Sequence, residues 1–332
     1  MSSFPWSRPW LWLPSELSHN LSPLVLPALS KVAPSFDPRW KSLDWQGLHF
    51  RNPMGIAGGV DKKGSSLKSW QALGAGFLEV GTVTPEAQGP NPGVIIRRDW
   101  PTRALWNKMG FPNPGIEPLV EQLKNFKSRK VPLFINIGKN RWTANEEAHL
   151  DYEKCIAGLH PFADAFVINL SSPNTKGLRE LQEKSSLQNF LNYLFEKKQS
   201  LAKSTPFLLK LSPDMSRPSF TETIEVSAPF VDGWILTNTT QSREVGSPFP
   251  SEGGVSGKPL KSLSLQSLEW LSQSLGDQRK DKLVVSVGGV DSYSEIMHRL
   301  EMGADLVQFY AALVFQGPFL FKKVLKAALK GS

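Results

Sequence analysis

From about residue 46 onward, apolar and polar positions fall into two alternating patterns. Short apolar, β-branched runs recur as "NPMGIAGG", "GFLEVGTVTP", "PLFINIGKN", "AFVINLSS", "PFLLKLSP", "DGWILTNTT", "LVVSVGGV" and "DLVQFY", and runs of this length and composition read as buried strands. Between most of them lie longer segments such as "SSLKSWQALGA", "GIEPLVEQLKNFK", "SLQNFLNYLFEKKQSLAK", "LKSLSLQSLEWLSQSL" and "SYSEIMHRLEMG". Their apolar residues stand three and four apart, the spacing of one helix face. Strands alternating with helices predict a parallel sheet, and eight repeats fit a closed barrel better than an open Rossmann sheet. The "GAGFLE" around Gly74 and Gly76 precedes a strand and lacks a third glycine, so it is no dinucleotide fingerprint. The fold expected is α/β, a (β/α)8 TIM barrel over residues 46–332, with a short N-terminal helical extension over residues 1–45.

The extension follows a different pattern. "MSSFPWSRPWLWLPSELSHNLSPLVLPALSKVAPSFDPRW" holds Trp6, Trp10, Trp12 and Trp40 among Leu and Val and is interrupted by Pro14, Pro23 and Pro27. Proline breaks helix interiors, so short helices are predicted. No stretch reaches the ~20 apolar residues of a spanning helix, and no apolar core leads into a small-residue cleavage site. Two readings stay open on composition: a helical cap packed on the domain, or amphipathic helices with Trp and Leu in a bilayer interface.

Composition narrows the function classes. The 332 residues are 40% hydrophobic and 20% charged, ordinary for a folded globular chain, and one barrel with an extension accounts for the length. The single cysteine, Cys155, lies in the helix-like "DYEKCIAGLH". It permits neither a disulfide nor the thiolate set of an iron–sulfur cluster, and reads as a buried helix residue. The net charge of +8 favours anionic ligands or surfaces. Basic residues are scattered, with pairs such as Lys62-Lys63 and Arg97-Arg98 as the longest runs, which argues against nucleic acid.

Candidate chemistry gathers at the strand ends. Gly58-Gly59, Thr82, Asn136, Asn169, Lys210, Thr237-Asn238, Gly288-Gly289 and Tyr310 stand at or just after the C-terminal ends of the eight runs, the active-site edge of such a barrel. Asn is a poor strand former, and repeated conflict with local propensity marks function. The segments after strands seven and eight lie where many barrels hold a phosphate, and the Gly288-Gly289 pair permits close backbone approach. Ser172, in "FVINLSSPNTKGLREL", has no Cys, Asp, Glu or His beside it. None of the histidines (His19, His49, His149, His160, His298) is near it in sequence, so no Ser–His dyad is evident.

"NPMGIAGGVDKKG", "VGTVTP", "NKMGFPNPG", "INIGKN", "INLSSPNTKGLR", "LTNTT", "GGVSGKPL" and "VGGVDS", in this order and spacing, resemble the flavin-containing dihydroorotate dehydrogenases, specifically the membrane-associated, quinone-linked class 2. The resemblance extends from about residue 46 almost to the C-terminus. It implies oxidation of dihydroorotate to orotate in pyrimidine synthesis, non-covalent FMN and electron transfer to a membrane quinone. It also implies a peripheral protein on the cytoplasmic face of the cell or inner membrane, with the Trp-rich extension facing the membrane and no iron–sulfur partner subunit or metal. Ser172 matches the base that takes the C5 proton, with a water relay through Thr175 and Phe111. Lys62 matches the partner of the substrate carboxylate. Asn107, Asn169, Asn174 and Asn238 match residues that pair with the ring edge, and Lys108, Met109, Gly110, Phe111 and Thr239 complete the implied substrate site. Ala57, Gly58, Gly59, Thr82, Asn136, Asn169 and Thr237 match the cofactor site, Lys210 the flavin N1/O2 edge, and Gly257, Gly289, Tyr310 and Ala311 the phosphate and ribityl segment. Arg97 or Arg98 falls near the quinone tunnel. Two positions depart from the family pattern: Gly58 stands where Ala is frequent, and Ala311 where Ser or Thr commonly donates a hydroxyl to the phosphate. A tRNA dihydrouridine synthase, a rival basic FMN barrel, would need a catalytic Cys in its loop and an RNA-binding domain. A phosphate-binding barrel without redox chemistry and a non-catalytic membrane-bound scaffold are two further rivals.

Overall fold

The computed structural model describes residues 8–32, 39–201, 204–243 and 247–330, so Trp6 lies outside the described residues. In chain order the strands are β1 (Leu43–Trp45), β2 (Leu48–Phe50), β3 (Met54–Ile56), β4 (Leu78–Val83), β5 (Ile96–Asp99), β6 (Ala104–Asn107), β7 (Leu133–Ile137), β8 (Ala165–Asn169), β9 (Phe207–Leu211), β10 (Gly233–Leu236), β11 (Gly254–Gly257), β12 (Leu283–Val287) and β13 (Leu306–Phe309). The α-helices are α1 (Ser15–Val32), α2 (Leu67–Ala72), α3 (Ile116–Lys124), α4 (Ala148–Leu159), α5 (Lys184–Leu201), α6 (Arg217–Ser227), α7 (Lys261–Leu275), α8 (Tyr293–Glu301), α9 (Ala311–Gln316) and α10 (Leu320–Ala328). Eight strands form one parallel sheet in the order β3-β13-β12-β10-β9-β8-β7-β4. They are the eight runs marked by the sequence pattern. A parallel bridge between Gly55 and Phe77 brings the two end strands together, which gives a (β/α)8 barrel.

Side chains in these strands alternate between two apolar layers, as a period of two requires. Phe134, Ala165, Val167, Leu208, Ile235, Leu283, Val285 and Leu306 fill the lumen with Phe50 and Phe77. Their chain neighbours Ile135, Phe166, Ile168, Leu209, Trp234 and Val307 pack outward in the larger core with helix residues such as Leu119, Leu187 and Ile296. The β1–β2 hairpin closes the N-terminal end of the lumen. Phe50 stacks edge-on against Phe77 and Phe134, with ring centroids 5.8 and 6.1 Å away. Gly55 is required here, because a Cβ on it would come within 2.5 Å of the Phe77 ring.

Two insertions build a second, antiparallel sheet in the order β11-β6-β5. It pairs Gly254 with Asn107 and Gly257 with Ala104, which brings residues of both insertions to the C-terminal mouth of the barrel.

The prolines do not divide the extension into short helices as expected. Pro14 separates α1 from a 3₁₀ turn at Pro9–Leu11, but Pro23 and Pro27 lie inside α1. A proline leaves the carbonyl four residues back without its N–H partner. Ser22 Oγ donates to that freed His19 carbonyl at 2.8 Å, and Ser30 Oγ donates to the Pro27 carbonyl at 2.9 Å. Ser22 thus replaces the bond that Pro23 removes. Among the described residues no helix is long and apolar enough to cross a membrane.

Candidate active site

The inward row of the barrel wall changes character at its C-terminal end. One step above Phe134, Val167, Leu208 and Leu306, the same alternation points Asn136, Asn169, Lys210 and Gln308 at one another, with Glu79 of β4 among them. All five side chains are buried, and buried polar groups persist only when bonded. Asn136 Nδ2 donates to Glu79 Oε1 at 2.7 Å, Gln308 Nε2 donates to Glu79 Oε2, and Lys210 Nζ lies 3.6 Å from Glu79 Oε1. Thr82 Oγ1 donates to Asn136 Oδ1 at 2.6 Å, and Asn169 Nδ2 donates to both Thr82 Oγ1 and Asn136 Oδ1 at 3.0 and 3.1 Å. The result is a cross-linked polar floor with one buried cation above one buried carboxylate.

Above this floor is a cavity of about 360 Å³, within the range of small-molecule sites. Every site residue singled out from the sequence lines it except Lys108, Thr175, Arg97 and Arg98. Asn107 and Met109 line the cavity, whereas Lys108 between them does not, and its Nζ lies 2.8 Å from Glu252. Thr175 is buried beside the cavity without lining it. Arg97 stacks 5.7 Å from the Trp106 ring centroid, whereas Arg98 donates to the Trp10 and Leu13 carbonyls of the N-terminal segment.

Ser172 is 5% exposed, and its Oγ accepts from the Asn174 backbone N–H at 3.2 Å. Arg179 fastens this loop, with Nε donating to the Ser171 carbonyl at 2.9 Å and Nη2 to the Thr239 carbonyl at 3.0 Å. Asn174 Nδ2 donates to Asn107 Oδ1 at 2.9 Å, and Asn238 Nδ2 donates to Asn169 Oδ1 at 3.2 Å. Asn174 Oδ1 and Gln308 Oε1 are buried with no hydrogen-bond partner, two acceptors that the protein does not satisfy by itself. Phe111 holds a left-handed backbone at φ 54. Its carbonyl accepts from Gln88 Nε2 at 3.2 Å and Asn113 Nδ2 at 2.9 Å, which fixes the turn.

Lys62 Nζ donates to the Gly59 carbonyl at 2.8 Å, and enclosure by the protein pulls its pKa down to about 8. His19 of α1 is pulled down to about 4 by burial and by the Lys62 cation, which places the N-terminal helix beside this end of the site. Burial pushes the Tyr310 hydroxyl up to about 12, so it stays a donor. Beneath the Gly288-Gly289 turn, the fully buried Arg299 donates to the Gly288 carbonyl at 2.6 Å and to Ser264 and Ser286 at 2.8 and 2.7 Å, with Glu295 at 2.9 Å as counter-charge. This pins a turn whose glycines have φ 117 and 75.

Sequence reasoning missed Glu79, Gln308, Arg8, Arg103 and Lys258. Glu79 had a signal, a carboxylate in the middle of the apolar run "FLEVG". Arg8 had none, because only the packing of the N-terminal segment brings it to the cavity.

Fold and cavity together define a (β/α)8-barrel enzyme with its polar groups at the C-terminal mouth. A family model described as dihydroorotate dehydrogenase matches residues 42–330, and the chain belongs to this family of oxidoreductases. It is similar to a protein of Stenotrophomonas maltophilia named dihydroorotate dehydrogenase (quinone), 38% identical across 97% of this chain and 94% of that one. A Thermus thermophilus protein of the same name is 42% identical across 89% of this chain and 84% of that one. Among solved structures, that of Eimeria tenella DHODH in complex with ferulenol superposes with a TM-score of 0.85 at 28% identity, covering 95% of this chain and 90% of that chain.

Proposed function

We propose that this chain oxidises dihydroorotate to orotate, with FMN as resident cofactor and a membrane quinone as electron acceptor, in pyrimidine synthesis. The observation that carries the reading is the buried, amide-lined cavity over a Lys210–Glu79 floor, with Asn174 Oδ1 and Gln308 Oε1 left as unpaired acceptors. Those acceptors, the floor cation and the glycine turns fit a planar flavin with a phosphate tail. Ala57, Gly58, Gly59, Thr82, Asn136, Asn169, Lys210, Thr237, Gly257, Gly289, Tyr310 and Ala311 would hold it. A Cβ at Gly58 would run into Glu79 and Asn136, so Gly in place of the frequent Ala suits this floor. Bound FMN would supply the acceptor for the hydride leaving C6 and the donor for the quinone.

The chain's own residues then have defined tasks. Ser172 Oγ takes the proton from C5 as the C5–C6 double bond forms, and the Asn174 backbone N–H already aimed at Oγ stabilises the developing charge. Phe111 and Thr175 flank a water relay for that proton. An Asn amide presents one donor and one acceptor, so Asn107, Asn169, Asn174 and Asn238 match the alternating carbonyls and N–H groups of the pyrimidine edge, with Met109, Gly110 and Thr239 against the ring. The Lys62 ammonium pairs with the substrate carboxylate. The test is the visible spectrum of the purified protein. A yellow protein that bleaches with anaerobic dihydroorotate and recovers with a lipophilic quinone supports the reading, and a colourless one that takes up no FMN refutes it.

Lys62 gives the site a pH limit. A carboxylate binds the protonated amine, and above a pKa of about 8 the protonated fraction falls about tenfold per pH unit. Orotate affinity is therefore expected to be flat below that pH and to weaken above it. Titrations of Lys62→Met should show weaker binding with no such slope, and an unchanged slope in the variant would remove Lys62 from this role.

Residues 1–45 are assigned to the membrane side. Leu17, Leu21, Leu24 and Val25 of α1 are all exposed, Leu24 at 74%, and their spacing puts them on one helix face, as in interfacial helices. Arg98, bonded to the N-terminal carbonyls, adjoins the proposed quinone path. This fits a peripheral protein on the cytoplasmic face of the membrane. Replacing Leu17, Leu21 and Leu24 together by Ser is expected to cut vesicle binding by on the order of 10²-fold or more while dihydroorotate still bleaches the protein. Undiminished flotation would refute the assignment.

A further inference from the structure

Beyond Gly257 and Gly288-Gly289, the cavity is lined by Arg8, Arg103 and Lys258 and by one carboxylate, Asp291. Arg103 holds a left-handed backbone at φ 55. Its carbonyl accepts from the Lys258 amide at 3.2 Å, and a Cβ on Gly257 would collide with that carbonyl. The residue is thus fastened to the turn that follows β11. Its guanidinium lies 3.4 Å from the Trp100 ring centroid and 5.9 Å from that of Phe315. The Arg8 guanidinium lies 5.6 Å from the same Trp100 ring. Burial and the Arg8 charge lower the Arg103 pKa while Asp291 opposes them, as expected for two cations crowded at one end of a cavity. Among the described residues neither guanidinium has a hydrogen-bond or ion-pair partner.

Stacking uses the face of a guanidinium and leaves its N–H edge open to a phosphate fork. Arg8 comes to this place because Trp10 is docked on α9: Trp10 Nε1 donates to the Val314 carbonyl at 2.8 Å, and its ring lies where a Cβ on Gly317 would come within 2.8 Å. Ala311, the first residue of α9, offers no hydroxyl.

Resting on the flavin reading above, we propose that Arg8 and Arg103, gathered about Trp100, form a guanidinium clamp for the terminal phosphate of FMN that replaces the hydroxyl missing at Ala311. The N-terminal segment is then part of the cofactor site as well as of the membrane face.

The clamp recognises the phosphate and nothing else of the flavin, so the comparison is FMN against riboflavin, each titrated by fluorescence onto the full-length chain stripped of flavin, at low and high salt. Arg103→Gln is expected to weaken FMN about tenfold or more, to flatten the salt dependence of FMN binding, and to leave riboflavin affinity unchanged. Arg8→Gln should act in the same direction with a smaller loss, and because Arg8 stands outside the barrel it reports even where Arg103→Gln fails to fold. Equal losses for FMN and riboflavin, or undiminished FMN affinity in both variants, overturn the clamp while leaving the flavin reading intact. An unaltered chain that binds neither flavin overturns both.

Discussion

Ser172→Ala is expected to leave FMN bound and to slow bleaching by dihydroorotate by roughly 10²–10⁴-fold, the contribution of a positioned base. The range follows from what remains in the variant. On the proposed reading the side-chain amides of Asn107, Asn169, Asn174 and Asn238 and the Lys62 ammonium would still orient the substrate, so only the proton transfer would lose its acceptor. A serine hydroxyl is a poor base in water, and no histidine lines the cavity. In the proposed reaction the Asn174 backbone N–H at 3.2 Å from Oγ and the 5% exposure of Ser172 would favour the alkoxide as it forms. Stopped-flow reduction should show the loss in the rate constant and little change in orotate affinity, and the unaltered rate should rise with pH as the base sheds its proton. Near-normal bleaching in the variant would eliminate Ser172 as the base.

Glu79→Ala is expected to destabilise the fold by about 3–5 kcal/mol, the penalty for stranding a buried charge. Glu79 is fully buried, and Lys210, Asn136 and Gln308 all converge on its carboxylate. Its removal leaves Lys210 without a counter-charge and two amides without an acceptor. Glu79→Gln keeps an acceptor for Asn136 but supplies no charge, which separates the two contributions. The double variant Glu79→Ala with Lys210→Met should recover much of the loss. Urea midpoints measure this, and a silent Glu79→Ala would mean that water already solvates Lys210.

The barrel was legible because each of its strands carries its own evidence. "PLFINIGKN" and "AFVINLSS" are apolar enough to be strands in any context, and their terminal Asn residues break a local preference strongly enough to mark a site. The antiparallel sheet was not legible. β5 reads "IRRD" and β11 reads "GVSG", a charged run and a glycine-rich run that become strands only because β6 lies between them. α1 departs from expectation because proline rules act through backbone bonds, whereas Ser22 supplies a side-chain substitute for the bond Pro23 removes, visible only in three dimensions. Lys108 shows the limit of carrying a motif over whole, since its neighbours Asn107 and Met109 line the cavity while Lys108 itself pairs with Glu252. Arg8 and Arg103 reach the cavity through contacts between segments remote in sequence, about which periodicity is silent.

The β11-β6-β5 sheet also sets an order of events during synthesis. Asn107 and Gly254, which meet across it, are 147 positions apart, and the barrel itself closes only when β13 pairs with β3. Both joints connect an early part of the chain to a late one, and contacts of such long range form only after the loop between them has been closed. A chain still on the ribosome with β11 unmade has most of the polar floor but neither the upper sheet nor a closed wall. Capture of the proposed flavin would thus belong to the last stage of maturation, after the C-terminal quarter has emerged, and a chain truncated before β11 would have no enclosed site in which to retain it.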